Sequence, residues 1–504
     1  MKKPGSPASG SVLIWTVLVI TILSLAAAEL LHVVSSKYTN ALHTATWQES
    51  LLGAESGVDL AIRELRKSIR PEPNGAFDTA EGWTTLTPEA SPSASPSGSI
   101  APSQIQRRGI TIVPNAGLAD TEMTVNVRVD APAQLKDPSN NWQYYRVRAT
   151  GTLPITGPAR ANDNKQDTRL RRLSLRTDRF TGGVLTANQA RVSRRIEAIV
   201  RPVSSFDQAV MSVGALDLTD ASIVIDSYDS RNADKSTNGL YDLAKRQKNG
   251  HIATNGQLIN AGNAFIYGDV STNAGTATGV ANITGVQRTD FYQPVDTVPA
   301  PTWGEIYTPR NPPHVLGSAE LTASATQGTA AGRYILNSIT LAGTEVLNLA
   351  PPAGTPAGTT SYIEIYVTGE ISATGNAQIV VQPGVKAIIH FAGGVKVSGN
   401  GLVNKSNQPG NLMMYGITPP PGTATKTVEL GGSGQLTAAV YAPDYFVHMN
   451  NAGTRGIANG SFVGKTFKMT GGTDLHYDEA LGSGGRIANY KIVSWFEDLV
   501  ELVR

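Results

Sequence analysis

Apolar residues near the N-terminus form one unbroken stretch, Ser11 to Ala28, that lies between Lys2–Lys3 and Glu29. No charged residue interrupts it. At about 1.5 Å per residue the stretch makes a helix of roughly 27 Å, close to the hydrocarbon thickness of a bilayer. We therefore predict one membrane span. The positive charge before it predicts a cytoplasmic N-terminus and a periplasmic or extracellular body.

The apolar pattern continues beyond the span, through Leu30 and Leu31 as far as Leu65. No proline occurs between Pro7 and Pro71, so the backbone allows one helix over residues 11–70. The alternative is a secretory signal peptide, because Ala26–Ala28 offers a small-residue cleavage site.

The next segments change from a polar linker to alternating strands. Residues 71–108 are rich in Pro and Ser and predict an extended linker. Residues 123–129, 144–150 and 191–200 alternate apolar and polar positions, so we predict a small antiparallel β-sheet domain over 109–203.

Short Gly-containing turns followed by apolar strands recur in the C-terminal half, for example at Gly375, Gly399, Gly434 and Gly471. This pattern is typical of a stacked strand-turn unit, and we predict a right-handed β-helix-like solenoid over 204–490, followed by a C-terminal segment, 491–504. The irregular spacing leaves a β-sandwich as the alternative. The predicted fold class is mainly β with an N-terminal membrane-spanning α-helix.

Composition excludes several functional classes. The formal net charge is +2 and the basic residues are dispersed, so we predict no nucleic-acid partner. The sequence has no cysteine, which excludes disulfides, thiolate metal sites and cysteine nucleophiles.

Two groups of ionisable residues are the candidates for chemistry. His476, Asp478 and Glu479 form the tighter group, and Asp226 with Asp229 forms the other. Residues 476 and 478 would share one face of a strand. We interpret this group as a hydrogen-bond network in a capping rung, with a metal or catalytic site as the alternative. No P-loop, nucleophile elbow or H-E-x-x-H motif is present, and we predict no enzyme activity, no cofactor and no metal site.

The N-terminal region resembles PilX-type pilus assembly proteins. The resemblance rests on a basic leader that ends at Gly10, the apolar helix, and the stretch Ala54-Glu55-Ser56-Gly57. It implies a leader, 1–10, that a prepilin peptidase removes so that the mature chain begins at Ser11. Two positions differ from major pilins, which carry Phe where this chain has Ser11 and Glu where it has Trp15. The missing Glu fits a minor subunit.

The C-terminal region also resembles the domain that often follows PilX-like N-termini. The matching residues, in chain order, are Asp226, Tyr228, Asp229, Tyr441-Ala442-Pro443 and His476-Tyr477-Asp478-Glu479.

The resemblance implies a membrane-anchored structural or assembly component of a type IV pilus or a type II secretion-like system, resembling a minor pilin. Its implied partners are other pilin-like subunits, the inner-membrane assembly machinery and the prepilin peptidase. The implied location is the inner membrane, with incorporation into a pilus. Two alternatives stay open: an anchored or secreted β-helix enzyme acting on polysaccharide, and a cell-surface adhesin.

Overall fold

The protein is mainly β with one long apolar helix at its N-terminal end. The computed structural model describes residues 10–69, 76–86, 105–112, 123–135, 142–154, 191–219, 223–279, 282–305, 314–398, 401–431, 435–450 and 456–498. The predicted leader before Gly10 and the Ser/Pro-rich run 87–104 lie outside these residues.

The helix α1 spans Gly10–Lys67. Short 3-10 helices lie at Thr79–Glu81, Ala133–Leu135, Leu243–Lys245, Thr302–Glu305, Ala330–Gly332, Pro409–Asn411 and Glu479–Ser483.

Thirty-one strands lie in the described residues: β1 Thr84–Leu86, β2 Ile105–Ile112, β3 Met123–Asp130, β4 Tyr145–Pro154, β5 Arg191–Ser204, β6 Val210–Ser212, β7 Leu216–Asp217, β8 Val224–Tyr228, β9 Ile252–Thr254, β10 Leu258–Asn260, β11 Phe265–Ile266, β12 Val270–Ser271, β13 Thr276–Thr278, β14 Gln287–Arg288, β15 His314–Leu316, β16 Ala319–Thr322, β17 Arg333–Leu336, β18 Ser338–Leu341, β19 Val346–Ala350, β20 Ser361–Val367, β21 Ile371–Ala373, β22 Gln378–Val381, β23 Val385–Phe391, β24 Val395–Val397, β25 Leu402–Asn404, β26 Leu412–Gly416, β27 Thr427–Gly431, β28 Gln435–Asn450, β29 Gly456–Thr470, β30 Thr473–Asp478 and β31 Ile487–Asp498.

The chain forms two compact units. The first unit comprises residues 1–136, 143–201 and 492–504, and the second comprises 137–142 and 202–491. The chain thus leaves the first unit after Arg201 and re-enters it at Ile492.

The first unit is built on a six-stranded sheet with the order β1-β2-β3-β4-β5-β31. The ladders from β1 to β5 are antiparallel. On β3, Val125, Val127 and Val129 alternate with more exposed residues and are buried. This period of two gives the sheet one apolar face, and the C-terminal half of α1 packs against β3 and β4.

Parallel ladders link the strands of the second unit. Val270 of β12 pairs with Ile252 of β9 on one side and with Gln287 of β14 on the other, in steps of 18 and 17 residues. Later steps are longer: Tyr366, His390, Tyr415 and Tyr441 are successive register partners, 24, 25 and 26 residues apart.

The order of these ladders differs from the order of the chain. From β6 the ladder proceeds through β9 and β12 to β14. The later strands form a second run, from β17 through β20, β23, β26 and β28 to β29. Strand β29 then pairs with β6, and β30 pairs with β8. The first and last strands of the unit therefore meet in the middle of the ladder and join its two runs.

A second parallel sheet, β16-β19-β22-β25, shares its core with these ladders. Buried Leu347 and Ile379 come from this sheet, and buried Ile365 and Ile389 come from the larger one. The right-handed solenoid and its alternative, a β-sandwich, both stay predictions.

Candidate functional site

Helix α1 carries two different surfaces. Its N-terminal part is long and apolar enough to cross a membrane, and no residue of that apolar segment within the described range is buried. Ile14, Trp15 and Leu25 are each about two-thirds exposed. Its C-terminal part is buried on the sheet at Val58, Ala61 and Leu65. Gly10 begins the helix and Ser11 follows it, while the side chains of both lie outside the described atoms.

The Ala54-Glu55-Ser56-Gly57 stretch lies on the buried part of this helix. Ala54 and Gly57 face the sheet, Glu55 is half-buried and Ser56 is exposed. A Cβ at Gly57 would lie 2.9 Å from the Ala149 Cβ, closer than real Cβ contacts allow. The two small residues therefore allow the helix backbone to lie directly on the sheet.

A matching approach comes from the strand side. Ser50 of α1 donates its Oγ hydrogen to the carbonyl of Gly151 on β4, at 2.9 Å. A Cβ at Gly151 would overlap the Ser50 carbonyl oxygen. Close packing thus requires small residues on both partners.

The two ionisable groups singled out in the sequence meet in the second unit. Because β8 and β30 pair in parallel, His476 is the register partner of Asp226. The His476 Nδ1 lies 2.6 Å from the Asp226 Oδ1, and both side chains are buried. Tyr241 completes the cluster: its hydroxyl donates to the Asp226 Oδ2 at 2.7 Å, and its ring stacks on His476 with centroids 3.5 Å apart.

This cluster ends a buried polar column. Thr437 on β28 pairs with Asn459 on β29, and Asn459 pairs with His476. The Asn459 amide donates to the Thr437 Oγ1 at 3.3 Å, and the Asn404 amide donates to the Thr437 carbonyl at 3.4 Å. Strand β30 has β29 on one side and β8 on the other. The cluster therefore lies inside the ladder. The position expected from the sequence, in a capping rung at the end of the stack, is wrong.

Glu479 holds the segment that follows β8. Its Oε1 accepts hydrogen bonds from Ser227 Oγ at 2.9 Å and Asn249 Nδ2 at 2.7 Å. Its Oε2 accepts from Lys235 Nζ at 2.8 Å. Both carboxylate oxygens of Glu479 thus hold the loop between β8 and β9 in place.

Asp478 and Tyr228 lie beside each other in the same ladder. Asp478 accepts backbone hydrogen bonds from Ser230 and Ala480, at 3.0 and 3.1 Å. Burial nevertheless raises the pKa of the Asp478 carboxyl above its usual value. Burial also raises the pKa of Tyr228, whose hydroxyl has no hydrogen-bond partner in the described part of the chain. Asp229 does not take part in this pair; its Oδ1 lies 3.2 Å from the Arg231 Nε, with which it forms an ion pair.

The remaining motif residues lie in an aromatic column. The Tyr441 ring is buried against Phe206, with centroids 6.2 Å apart, and its hydroxyl donates to the Asp296 carbonyl at 3.1 Å. Ala442 and Pro443 are buried beside it. The Tyr477 hydroxyl donates to the Phe206 carbonyl at 2.8 Å, and burial raises the pKa of Tyr477.

This arrangement supports hydrogen bonding more than catalysis. Both carboxyl oxygens of Asp226 already have partners, His476 and Tyr241. Burial is the main cause that raises the pKa of Tyr241, and the hydrogen bond to Asp226 raises it further, so the phenol is neutral near pH 7. Within the described ranges, no group of three or more His, Asp or Glu residues could hold a metal ion.

Sequence reasoning found Asp226 and His476 but missed Tyr241 and Asn459. Tyr241 lies in a turn-rich loop, where nothing in the pattern distinguishes it from exposed neighbours such as Leu240 and Leu243. Asn459 lies in a strand of mixed composition, where nothing in the sequence distinguishes it from the neighbouring polar residue Ser461.

Residues 308–483 match the model of a domain of unknown function, DUF7305. The match covers about a third of the chain and includes Tyr441 and His476 but not Asp226. No curated protein matches the chain.

The crystal structure of the competence-associated pilin ComZ from Thermus thermophilus is similar at 10% sequence identity, over 90% of this chain and 98% of that chain, with a TM-score of 0.21. That score is too low to indicate a shared fold.

Proposed function

We propose that this protein is a membrane-anchored, minor-pilin-like structural or assembly component of a type IV pilus or a type II secretion-like system, with no enzymatic role. The observation that carries the proposal is the division of α1 into an exposed apolar part and a part that is buried on an antiparallel sheet. A helix used in this way anchors a folded body to an apolar environment.

The exposed part of α1 needs a partner. A row of side chains such as Ile14, Leu18 and Leu25 is unfavourable in water, at about 25 cal/mol per Å² of apolar surface. A bilayer supplies one apolar environment, and the corresponding helices of other pilin-like subunits supply another. Lys2 and Lys3 favour insertion with the N-terminus in the cytoplasm. Removal of the leader after Gly10 by a prepilin peptidase would then begin the mature chain at Ser11.

The fold of the exported body is part of the proposal. Parallel ladders, with steps such as 17, 24 and 33 residues between paired strands, favour a β-solenoid over a sandwich, because sandwiches are built from antiparallel strands. Parallel connections are right-handed in most proteins, which favours the right-handed form. Asp226 and His476 would then stabilise the solenoid, as buried residues inaccessible to a glycan substrate.

The experiment that tests the function is identification of the N-terminal residue and intact mass of the mature protein from membranes of the native host. We expect a chain that begins at Ser11 in the parent strain and a chain that keeps its leader in a strain without prepilin peptidase. A chain that begins near Glu29 in both strains would overturn the proposal and identify an ordinary secreted protein.

A pair of leader variants provides the matched control. Gly10→Val should block cleavage, because the peptidase acts next to this residue, and Gly5→Val should leave cleavage unchanged. If the body reaches the cell surface equally well in a strain without the pilus machinery, the adhesin alternative replaces the pilus role.

A further inference from the structure

The last strand, β31, lies at one end of the antiparallel sheet of the first unit. It follows β5 in the strand order, and no described strand pairs with its other side. Such an edge presents unpaired backbone N–H and C=O groups, and natural proteins usually protect it with charge, proline or a bulge. The centre of β31, residues 492–496, contains no charged residue and no proline.

The centre of β31 exposes large apolar side chains on both faces. Ile492, Val493, Trp495 and Phe496 are 38%, 47%, 38% and 60% exposed. Earlier on the same strand, by contrast, Ala488 and Tyr490 are buried. Glu497 fixes this part of the strand because its carboxylate accepts a hydrogen bond from the buried Arg194 of β5, at 3.0 Å. The strand is therefore held in place while its apolar centre faces solvent.

The order of residues in β31 is complementary to itself when the strand is reversed. The segment reads Lys-Ile-Val-Ser-Trp-Phe-Glu over residues 491–497. In an antiparallel pair of identical strands centred on Ser494, Lys491 lies opposite Glu497 of the partner subunit. Ile492 then lies opposite the partner's Phe496, and Val493 lies opposite the partner's Trp495.

Each of these cross-strand pairs is of a favourable type. Opposite charges stabilise antiparallel pairs, and so do aromatic residues that face β-branched residues. A shift by one residue places Lys491 opposite Phe496 in one direction. In the other direction Lys491 lies opposite Asp498, but Ile492 then lies opposite the charged Glu497. Lys491 and Glu497 also contact Asp207 and Arg194 of their own chain. The apolar and aromatic pairs, together with these charges, therefore favour this register and a second copy of this chain as the occupant.

We propose that β31 is a homodimer interface, in which two copies of this chain join their sheets edge to edge in antiparallel register about Ser494. The proposal does not depend on the pilus role, because it concerns only the exposed strand of the folded body.

The chain contains no cysteine, so single introduced thiols test the register directly. In the full-length protein in detergent, Ser494→Cys should form a disulfide-linked dimer on mild oxidation, because directly opposite residues in antiparallel strands lie about 4.5–5.5 Å apart at Cα, within disulfide range. We expect a rate about tenfold or more above that of Lys396→Cys, an exposed strand residue of the second unit, because the paired thiols face each other at high effective concentration.

Two further variants test the register. Ile492→Cys should link poorly to itself but well to co-expressed Phe496→Cys. Equal rates for Ser494→Cys and Lys396→Cys would indicate random collision and overturn the proposal. A Ser494→Cys thiol that reacts with a thiol reagent but yields no dimer, or that links to another polypeptide in native membranes, would also overturn it.

A measurement without cysteine gives an independent answer. Light scattering of the wild-type protein in detergent should report a dimer. Val493→Lys should shift it to a monomer, because the pair would then have to remove two ammonium groups from water in its apolar centre. Val286→Lys, at a 62% exposed residue of the second unit, is the control and should leave the dimer intact. A wild-type monomer at all concentrations would contradict the proposal.

Discussion

His476 and Asp226 are separated by 250 residues in the chain, yet their side chains form a buried hydrogen bond of 2.6 Å as register partners of two parallel strands. These strands, β30 and β8, help to join the two runs of ladders in the second unit. The pair therefore connects the first and last parts of this unit.

Loss of this pair should destabilise the second unit. We expect Asp226→Asn to lower the free energy of unfolding by about 3 kcal/mol, because it replaces the buried carboxyl group that binds both His476 and Tyr241. Tyr241→Phe, which removes one hydrogen bond, should cost about 1 kcal/mol. Urea denaturation followed by circular dichroism measures both. Asp290→Asn, in an exposed pair with Arg288, is the control and should cause no measurable change; an equal effect of both Asp→Asn changes would contradict this role.

Close helix–sheet packing in the first unit should be sensitive to side-chain volume at Gly57. Gly57→Val places methyl groups where a Cβ already lies 2.9 Å from Ala149 and Val125, so we expect a loss of about 1–3 kcal/mol in stability. The neighbouring Ser56→Val is the matched control, since Ser56 is exposed and Ser and Val have similar helix propensities. Thermal unfolding compares the two. A Gly57→Val protein as stable as Ser56→Val would show that the helix does not lie directly on the sheet.

His390 should make stability fall in acid. Burial, with a contribution from Arg486, lowers the pKa of His390 from 6.5 to about 4, so the folded protein keeps the imidazole neutral. Its stabilising effect is complete above pH 6.5 and is lost as the pH falls through about 4, up to about 3 kcal/mol for this shift. His390→Phe can keep the stacking on Tyr415, whose ring centroid lies 5.5 Å away, and should lose less stability between pH 6.5 and 4. Parallel pH curves for the two proteins would contradict this assignment.

Asp478 should act with the opposite sign. Because burial raises the pKa of this carboxyl, its protonated form is favoured in the folded state. That contribution is complete below pH 3.8 and is lost as the pH rises through the raised pKa. Asp478→Asn keeps an oxygen that can accept from Ser230 and Ala480 but does not titrate, so its melting temperature should decline less than that of the wild type above pH 3.8. A larger decline for Asp478→Asn would show that the charged carboxylate stabilises the fold.

Local patterns alone allowed much of the architecture to be predicted. The uninterrupted apolar run and the absence of proline predicted a long N-terminal helix, and α1 spans Gly10–Lys67. Alternation predicted strands at 123–129 and 191–200, where β3 and β5 lie. These features depend on the periodicity of neighbouring residues, which the sequence displays directly.

Other features depend on which distant segments meet. The repeated turns predicted a stacked body but not the order of its strands, because any of several apolar strands could pair with β6 on local grounds. The placement of β30 beside β8 brings His476 to Asp226, and no local pattern encodes that pairing.

The sequence by itself determined the apolar N-terminal helix, the β-rich composition of the rest and the residue types available for chemistry, since these follow from composition and local period. Only the tertiary structure decided that the last strand returns to the sheet of the first unit, that Gly57 faces Ala149, and that His476 and Asp226, one residue from each ionisable motif, meet in a buried cluster. The physical reason is that long-range pairing depends on the packing of many side chains at once, which no single segment of the chain specifies.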